Sequence, residues 1–283
     1  MAEEFDPRVT PFRADLAAAF LKGKVEAARY AEPVRKACRI PAAPIVKAPD
    51  GEAAMDDQLL FGERFDVYEE KDGWAWGQAA GDAYVGYVRS GHLGEAGAAP
   101  DRRITALRTY AFSRPDIKSR PDRLLSLNAK IAVAEEEGRF VRDAEAGWII
   151  AAHAGALDET VSDHAAVAEQ FLGAPYLWGG KESLGLDCSG LVQMSLEAAG
   201  VAAPRDTDMQ EVALGRDVET DEALSGLKRG DLVFWPGHVG IMLDETRLIH
   251  ANAHHMMTAI EPLREAVDRI GAKGTPLGRI KRV

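Results

Sequence analysis

The chain has 283 residues and a formal net charge of −11, with 46% hydrophobic and 28% charged residues. That length suits two or three domains with buried cores, and the acidic balance argues against a surface built for nucleic-acid phosphates. With only two cysteines, Cys38 and Cys188, there is no disulfide framework.

The first residues, Met1-Ala2-Glu3-Glu4-Phe5-Asp6-Pro7, are acidic and lack the basic-then-apolar plan of a secretory signal, so the cytoplasm is the expected compartment. Residues 16–30 are the most apolar long stretch, but Lys22, Lys24, Glu26 and Arg29 interrupt them, which excludes a membrane span. They read as an amphipathic helix lying on a barrel, within an N-terminal helical segment over residues 1–37. Residues 38–95 hold short β-like runs between turn signals: Ile45-Val46-Lys47, Gln58-Leu59-Leu60-Phe61-Gly62-Glu63, Phe65-Asp66-Val67-Tyr68, Trp74-Ala75-Trp76-Gly77 and Tyr84-Val85-Gly86-Tyr87-Val88. This spacing predicts a small β-barrel. Small residues around 94–101 read as a linker, and residues 102–157 repeat the plan, ending in Gly147-Trp148-Ile149-Ile150.

Residues 158–283 carry the chemistry. Cys188 lies in Gly185-Leu186-Asp187-Cys188-Ser189-Gly190-Leu191-Val192, and Leu191, Val192, Ser195 and Ala198 recur at helical steps, with Gly200 as the stop. The spacing predicts a helix with one buried face and Asp187 as its N-cap. A thiol in that first turn is expected to ionise readily, because the helix dipole and unpaired N–H groups favour thiolate. Farther on, Leu227-Lys228-Arg229-Gly230-Asp231-Leu232-Val233-Phe234-Trp235 reads as a turn and a buried strand. Pro236-Gly237 breaks it before a second strand, His238-Val239-Gly240-Ile241-Met242-Leu243, and a third, Arg247-Leu248-Ile249-His250-Ala251, follows. A turn centred on Asp244 would set His238 opposite His250, with Cβ atoms about 5 Å apart. The two imidazoles then suit a base and an orienter for a cysteine nucleophile.

Pro175-Tyr176-Leu177-Trp178-Gly179-Gly180, Asp187-Cys188-Ser189-Gly190-Leu191-Val192, Pro204-Arg205-Asp206-Thr207, Gly230-Asp231-Leu232-Val233-Phe234-Trp235 and His238-Val239-Gly240-Ile241 together resemble the successive motifs of NlpC-type cell-wall cysteine peptidases. The resemblance implies an α+β fold: a papain-like core of helices on an antiparallel sheet, preceded by two small SH3-like β-barrels. The first barrel is similar to the bacterial SH3-like domains of the three-domain members, the dipeptidyl-peptidase VI type. Cys188, His238 and His250 are then implied to be nucleophile, base and orienter. Tyr176 is implied to contact the reacting centre and help hold the oxyanion. Asp187 and Ser189 match substrate-contacting positions, and Arg205, Asp206 and Thr207 match a segment lining the pocket. Thr207 stands where serine is common.

The same resemblance suggests that Asp56 and Tyr84 meet the free amine of a leading L-alanine, a carboxylate pairing with the ammonium and a phenol adding a directional hydrogen bond. The implied activity is hydrolysis of the γ-D-glutamyl–diamino acid bond in a murein tripeptide or tetrapeptide, during peptidoglycan recycling. No cofactor, nucleic acid or membrane is called for, and the oligomeric state is open. Two rival readings are a metal-dependent amidase using His238, His250, His254 and His255, and a non-catalytic peptidoglycan-binding protein. Against the first, the signature His-Glu-x-x-His is missing and the cysteine would be unexplained.

Overall fold

A computed structural model describes residues 5–283; residues 1–4, the start of the acidic N-terminal stretch, lie outside the described residues. The chain divides into two compact units, Met1–Leu157 and Asp158–Val283.

In the first unit, the runs of alternating apolar residues become one antiparallel sheet. Its strand order is Met55–Leu60, Ala42–Val46, Val85–Arg89, Trp74–Ala79, Arg64–Lys71, Val34–Cys38 and Leu93–Glu95. Phe65, Val67, Ala75, Ala79, Val88, Ile45 and Leu59 turn to a common interior, where Cys38 is also buried. Asp72 and Gly73, with φ of 51° and 80°, close the hairpin between Arg64–Lys71 and Trp74–Ala79, both in the left-handed region that a two-residue turn requires. The Val34–Cys38 strand lies mostly within the segment expected to be helical, so the first sheet begins ahead of residue 38.

The helix expected over residues 16–30 does not form. Ala17–Ala18 and Tyr30–Ala31 pair as short parallel strands, with a single 3-10 turn, Ala19–Leu21, after the first. Gly23 takes φ +81°, which ends any helical run, and Leu16, Ala17, Ala18 and Leu21 pack on Tyr68 and Trp76. Burial against the barrel aromatics overrides helix propensity here.

The second half of this unit contains a five-stranded sheet, in the order Pro121–Ser126, Arg108–Phe112, Gly147–Ile150, Phe140–Asp143, Val133–Glu137. A three-stranded sheet accompanies it, in the order Lys130–Ile131, Arg102–Ile104, Ala154–Ala156. The two halves end alike. Strand, 3-10 turn and short strand follow one another in Val85–Arg89, Ser90–His92, Leu93–Glu95 and again in Gly147–Ile150, Ala151–His153, Ala154–Ala156. A shared plan thus survives little identity.

The second unit has four α-helices: α1 (His164–Gln170), α2 (Cys188–Ala198), α3 (Thr207–Ala213) and α4 (Leu263–Gly271). Its six-stranded antiparallel sheet runs Arg216–Asp217, Ile280–Arg282, Leu232–Trp235, His238–Met242, Arg247–Asn252, Met257–Pro262. The helix α2 packs on the central strands and against α1. The spacing predicts one buried face for α2; instead nearly every residue from Cys188 to Ala198 is buried, because small residues let neighbours close round it. Among the described residues no helix is long and apolar enough to cross a membrane.

Candidate active site

Asp187 caps α2 and fixes the position of Cys188. One carboxylate oxygen accepts the N–H of Gly190 at 2.8 Å, and the other accepts the N–H of Gly179, also at 2.8 Å. Arg205, only 1% exposed, reaches both oxygens at 3.0 and 2.7 Å and donates to the Ser189 hydroxyl at 2.8 Å. A carboxylate beneath the surface thus gains a paired charge and a full set of donors. Gly190 has to be glycine, since a Cβ there would come within 2.2 Å of the Gly180 carbonyl oxygen. The 179–180 loop therefore lies directly on the first turn of the helix.

The Cys188 sulfur lies 3.8 Å from the Thr207 hydroxyl, at the start of α3. The main-chain N–H groups of Val239 and Ser189 also reach it. Because Val239 follows His238 directly, the sulfur is brought to the strand that carries the expected base. Contrary to the thiolate expected from the helix terminus, the thiol is pushed up to about 11, by burial first and then by the Asp187 charge.

His238 and His250 do not face one another directly. Ile241 pairs with Ile249 and Met242 with Leu248, so the turn is centred one residue beyond Asp244. The physical reason is the Asp244 side chain, which accepts the N–H groups of Thr246 and Arg247 at 2.8 Å each and so opens the turn instead of occupying its middle. Continuing that register sets Gly240 beside His250, where a Cβ would lie 3.3 Å from the His250 Cβ. The missing side chain leaves room for His238 to approach on the diagonal, and its Nε2 meets His250 Nδ1 at 2.8 Å. His250 is fully buried, and its Nε2 lies 2.6 Å from Glu261 Oε1 on the next strand. Arg269 of α4 also donates to that oxygen. Three side chains thus form a diagonal line across three neighbouring strands. Burial, His250 and the Arg269 charge push the His238 imidazole down to about 3, while burial lowers His250 against the pull of Glu261. A thiol at the start of α2, an imidazole with its Nδ1 unclaimed by His250, and a second imidazole anchored on a carboxylate are the groups that acyl transfer by a cysteine requires.

Residues 173–268 match the NlpC/P60 family, and residues 45–93 match the bacterial dipeptidyl-peptidase Sh3 domain. The chain carries an NlpC/P60 domain. It is 35% identical over 106 residues to dipeptidyl-peptidase 6 of Lysinibacillus sphaericus, covering 35% of this chain and 38% of the relative. To the gamma-D-glutamyl-L-lysine dipeptidyl-peptidase of Bacillus subtilis it is 37% identical over 89 residues, covering 29% and 28%. The matches thus span well under half of either relative. The crystal structure of an NlpC/P60 family protein from Bacillus cereus superposes with a TM-score of 0.74, at 19% identity, over 88% of this chain and 99% of that one. That likeness shows the α+β fold, and the matched Sh3 region lies ahead of the NlpC/P60 region in the chain.

Within the NlpC/P60 domain, Tyr176 is half-buried, and its phenol is pushed up by burial and by the proximity of Cys188 and Asp187. This places it in the electrostatic reach of the sulfur. Asp206 is the N-cap residue of α3, half-buried, next to Thr207. Arg205 was expected in the pocket lining, but its guanidinium turns inward to the cap of α2. Of the alternative metal cluster, His250 and His255 do converge, but with Glu261 as the third ligand atom, all within 4.8 Å. In the first unit, Asp56 lies 3.5 Å from Lys47 Nζ, and Tyr84 is buried in the barrel interior. Glu261 was missed. Its signal is subtle: it sits two residues from Ala259, the cross-strand partner of His250, and so shares the face of that imidazole.

Proposed function

We propose that the chain is a cysteine peptidase that hydrolyses the γ-D-glutamyl–diamino acid bond of murein tripeptides or tetrapeptides with a free N-terminal L-alanine. Its setting would be cytoplasmic recycling of peptidoglycan fragments. The observation that carries this reading is the buried cysteine at the capped end of α2, held against the strand of a His238–His250 pair. Names of the relatives, dipeptidyl-peptidase among them, support the substrate class. Two buried cysteine thiols suit a reducing compartment.

In the reaction, thiol and imidazole both start neutral. As the sulfur bonds to the γ-glutamyl carbonyl carbon, the thiol proton passes to His238 Nδ1, and the oxyanion develops near Tyr176. His238 then protonates the departing amine of the diamino acid, and water hydrolyses the thioester with His238 as base. Selection of the free amine is proposed on chemical grounds: a carboxylate fits an ammonium and rejects an amide.

The test uses L-Ala-γ-D-Glu-diamino acid peptides. Cys188→Ala is expected to abolish turnover, and N-acetylation of the substrate to reduce kcat/KM by at least about 10-fold. Undiminished hydrolysis by the alanine variant would remove the mechanism, and equal turnover of the blocked peptide would remove amine selection. The convergence of His250, His255 and Glu261 keeps a metal-dependent reading testable. A chelator is expected to leave activity intact, and its loss, restored by zinc, would favour the amidase instead.

A further inference from the structure

A neutral imidazole has one donor nitrogen and one acceptor nitrogen, whereas an ionised carboxylate only accepts. That asymmetry fixes every proton along the diagonal line. Glu261 Oε1 lies 2.6 Å from His250 Nε2, so Nε2 carries the hydrogen and His250 Nδ1 is left as an acceptor. Nδ1 lies 2.8 Å from His238 Nε2, which must then be the donor, leaving His238 Nδ1 with a bare lone pair. Only that tautomer can take a proton from the sulfur. With both rings reversed, His250 Nε2 would turn a lone pair toward the Glu261 carboxylate, and His238 Nδ1 would carry a hydrogen instead of a free lone pair.

We infer that Glu261 is a positioning residue that sets the tautomer of both histidines, with Arg269 of α4 holding its carboxylate in place. The inference deepens the cysteine-peptidase reading and rests on it for the use made of His238 Nδ1. Three features of the site support the assignment. His250 is completely buried, so no bulk water competes for either nitrogen. Glu261 is largely buried too, its side chain 10% exposed, and it takes the Arg269 ion pair on the same oxygen that meets His250. Burial acts to raise the Glu261 carboxyl, but His250 and Arg269 more than offset it and hold the group ionised, while burial keeps His250 from becoming a cation. A cationic His250 would present N–H to His238 Nε2 and reverse the outcome.

The experiment labels the histidines of the full chain with 15N and reads long-range 1H–15N correlations, which distinguish Nε2–H from Nδ1–H rings. His238→Gln and His250→Gln variants assign the signals. In the wild type both rings are expected as Nε2–H. Glu261→Gln keeps the shape, but its amide can both donate and accept, so His250 and His238 are expected as tautomer mixtures. The fall in kcat is expected on the order of 10²-fold with KM within about 2-fold, short of the ~10⁴-fold loss when a wrong tautomer is imposed outright in a serine-protease triad. A wild-type His238 protonated at Nδ1 would overturn the inference. So would a Glu261→Gln protein with wild-type tautomers and wild-type kcat. The spectra need no turnover: a wild-type protein that cleaves no peptide, yet shows both rings as Nε2–H, would refute the peptidase reading and leave the tautomer assignment standing.

Discussion

Helix N-termini ordinarily favour thiolate, yet at Cys188 burial and the adjoining Asp187 carboxylate act the other way and raise the thiol to about 11. His238, pushed down to about 3, has little affinity for the proton until the substrate carbonyl is attacked. In the proposed mechanism both groups are therefore neutral at rest, and kcat/KM is expected to stay flat between about pH 5 and 9 and to fall only in stronger acid, where His238 is protonated. A bell-shaped profile centred near pH 6, measured on the free peptide, would contradict this. The places of Cys188, His238 and His250 on helix and strands were legible because their motifs are short and local. Their protonation was not, since it depends on Asp187, burial and the Arg269 charge brought in by the tertiary fold. Arg205 shows the same division. Its presence beside the motif is visible, but its role of neutralising Asp187 emerges only once α2 and the loop before α3 meet. Arg205→Met is expected to destabilise the fold by about 3–5 kcal/mol, the loss that follows when one member of a buried ion pair is removed, and thermal or denaturant unfolding would read it.

At the level of elements, the hairpin of His238–Met242 and Arg247–Asn252 decides the geometry of the imidazole pair. Apolar alternation marked both strands correctly, but the turn centre moves by one residue and the pairing by two, because the Asp244 side chain captures the N–H groups of Thr246 and Arg247. The shift turns a face-to-face pair into a diagonal one and makes Gly240 the gap through which His238 reaches His250. Gly240→Ala would place a Cβ 2.6 Å from Leu248 Cδ1 and 3.3 Å from His250 Cβ. Leu248 can give way at its flexible end, so the variant is expected to fold, with kcat reduced roughly 10-fold by displacement of the imidazole. Unchanged kcat in a folded Gly240→Ala protein would show that the gap has no such role. The barrel strands were legible from alternation and turn signals. The N-terminal segment was not, because its apolar residues satisfy a helical period yet bury themselves on Tyr68 and Trp76 in extended form.

Across the whole chain, three histidines, His92, His238 and His250, are lowered chiefly by burial. Unfolding exposes them to water and returns them toward 6.5, so below that pH the unfolded chain binds more protons than the native one. Stability is therefore expected to decline as pH falls from about 6.5, with the His238 contribution growing until about pH 3. Melting temperatures measured at stepped pH would show this slope, and His238→Gln should flatten it. Both sulfhydryls lie beneath the surface, Cys38 in the barrel interior and Cys188 at 6% exposure. Attack by peroxide tracks ionisation and access together, and neither sulfur offers both. Concentrated samples kept in air without reductant should hence keep both thiols reduced, free of sulfinic acid and of covalent dimers, so that loss of activity on storage would have to be sought in some lesion other than thiol oxidation.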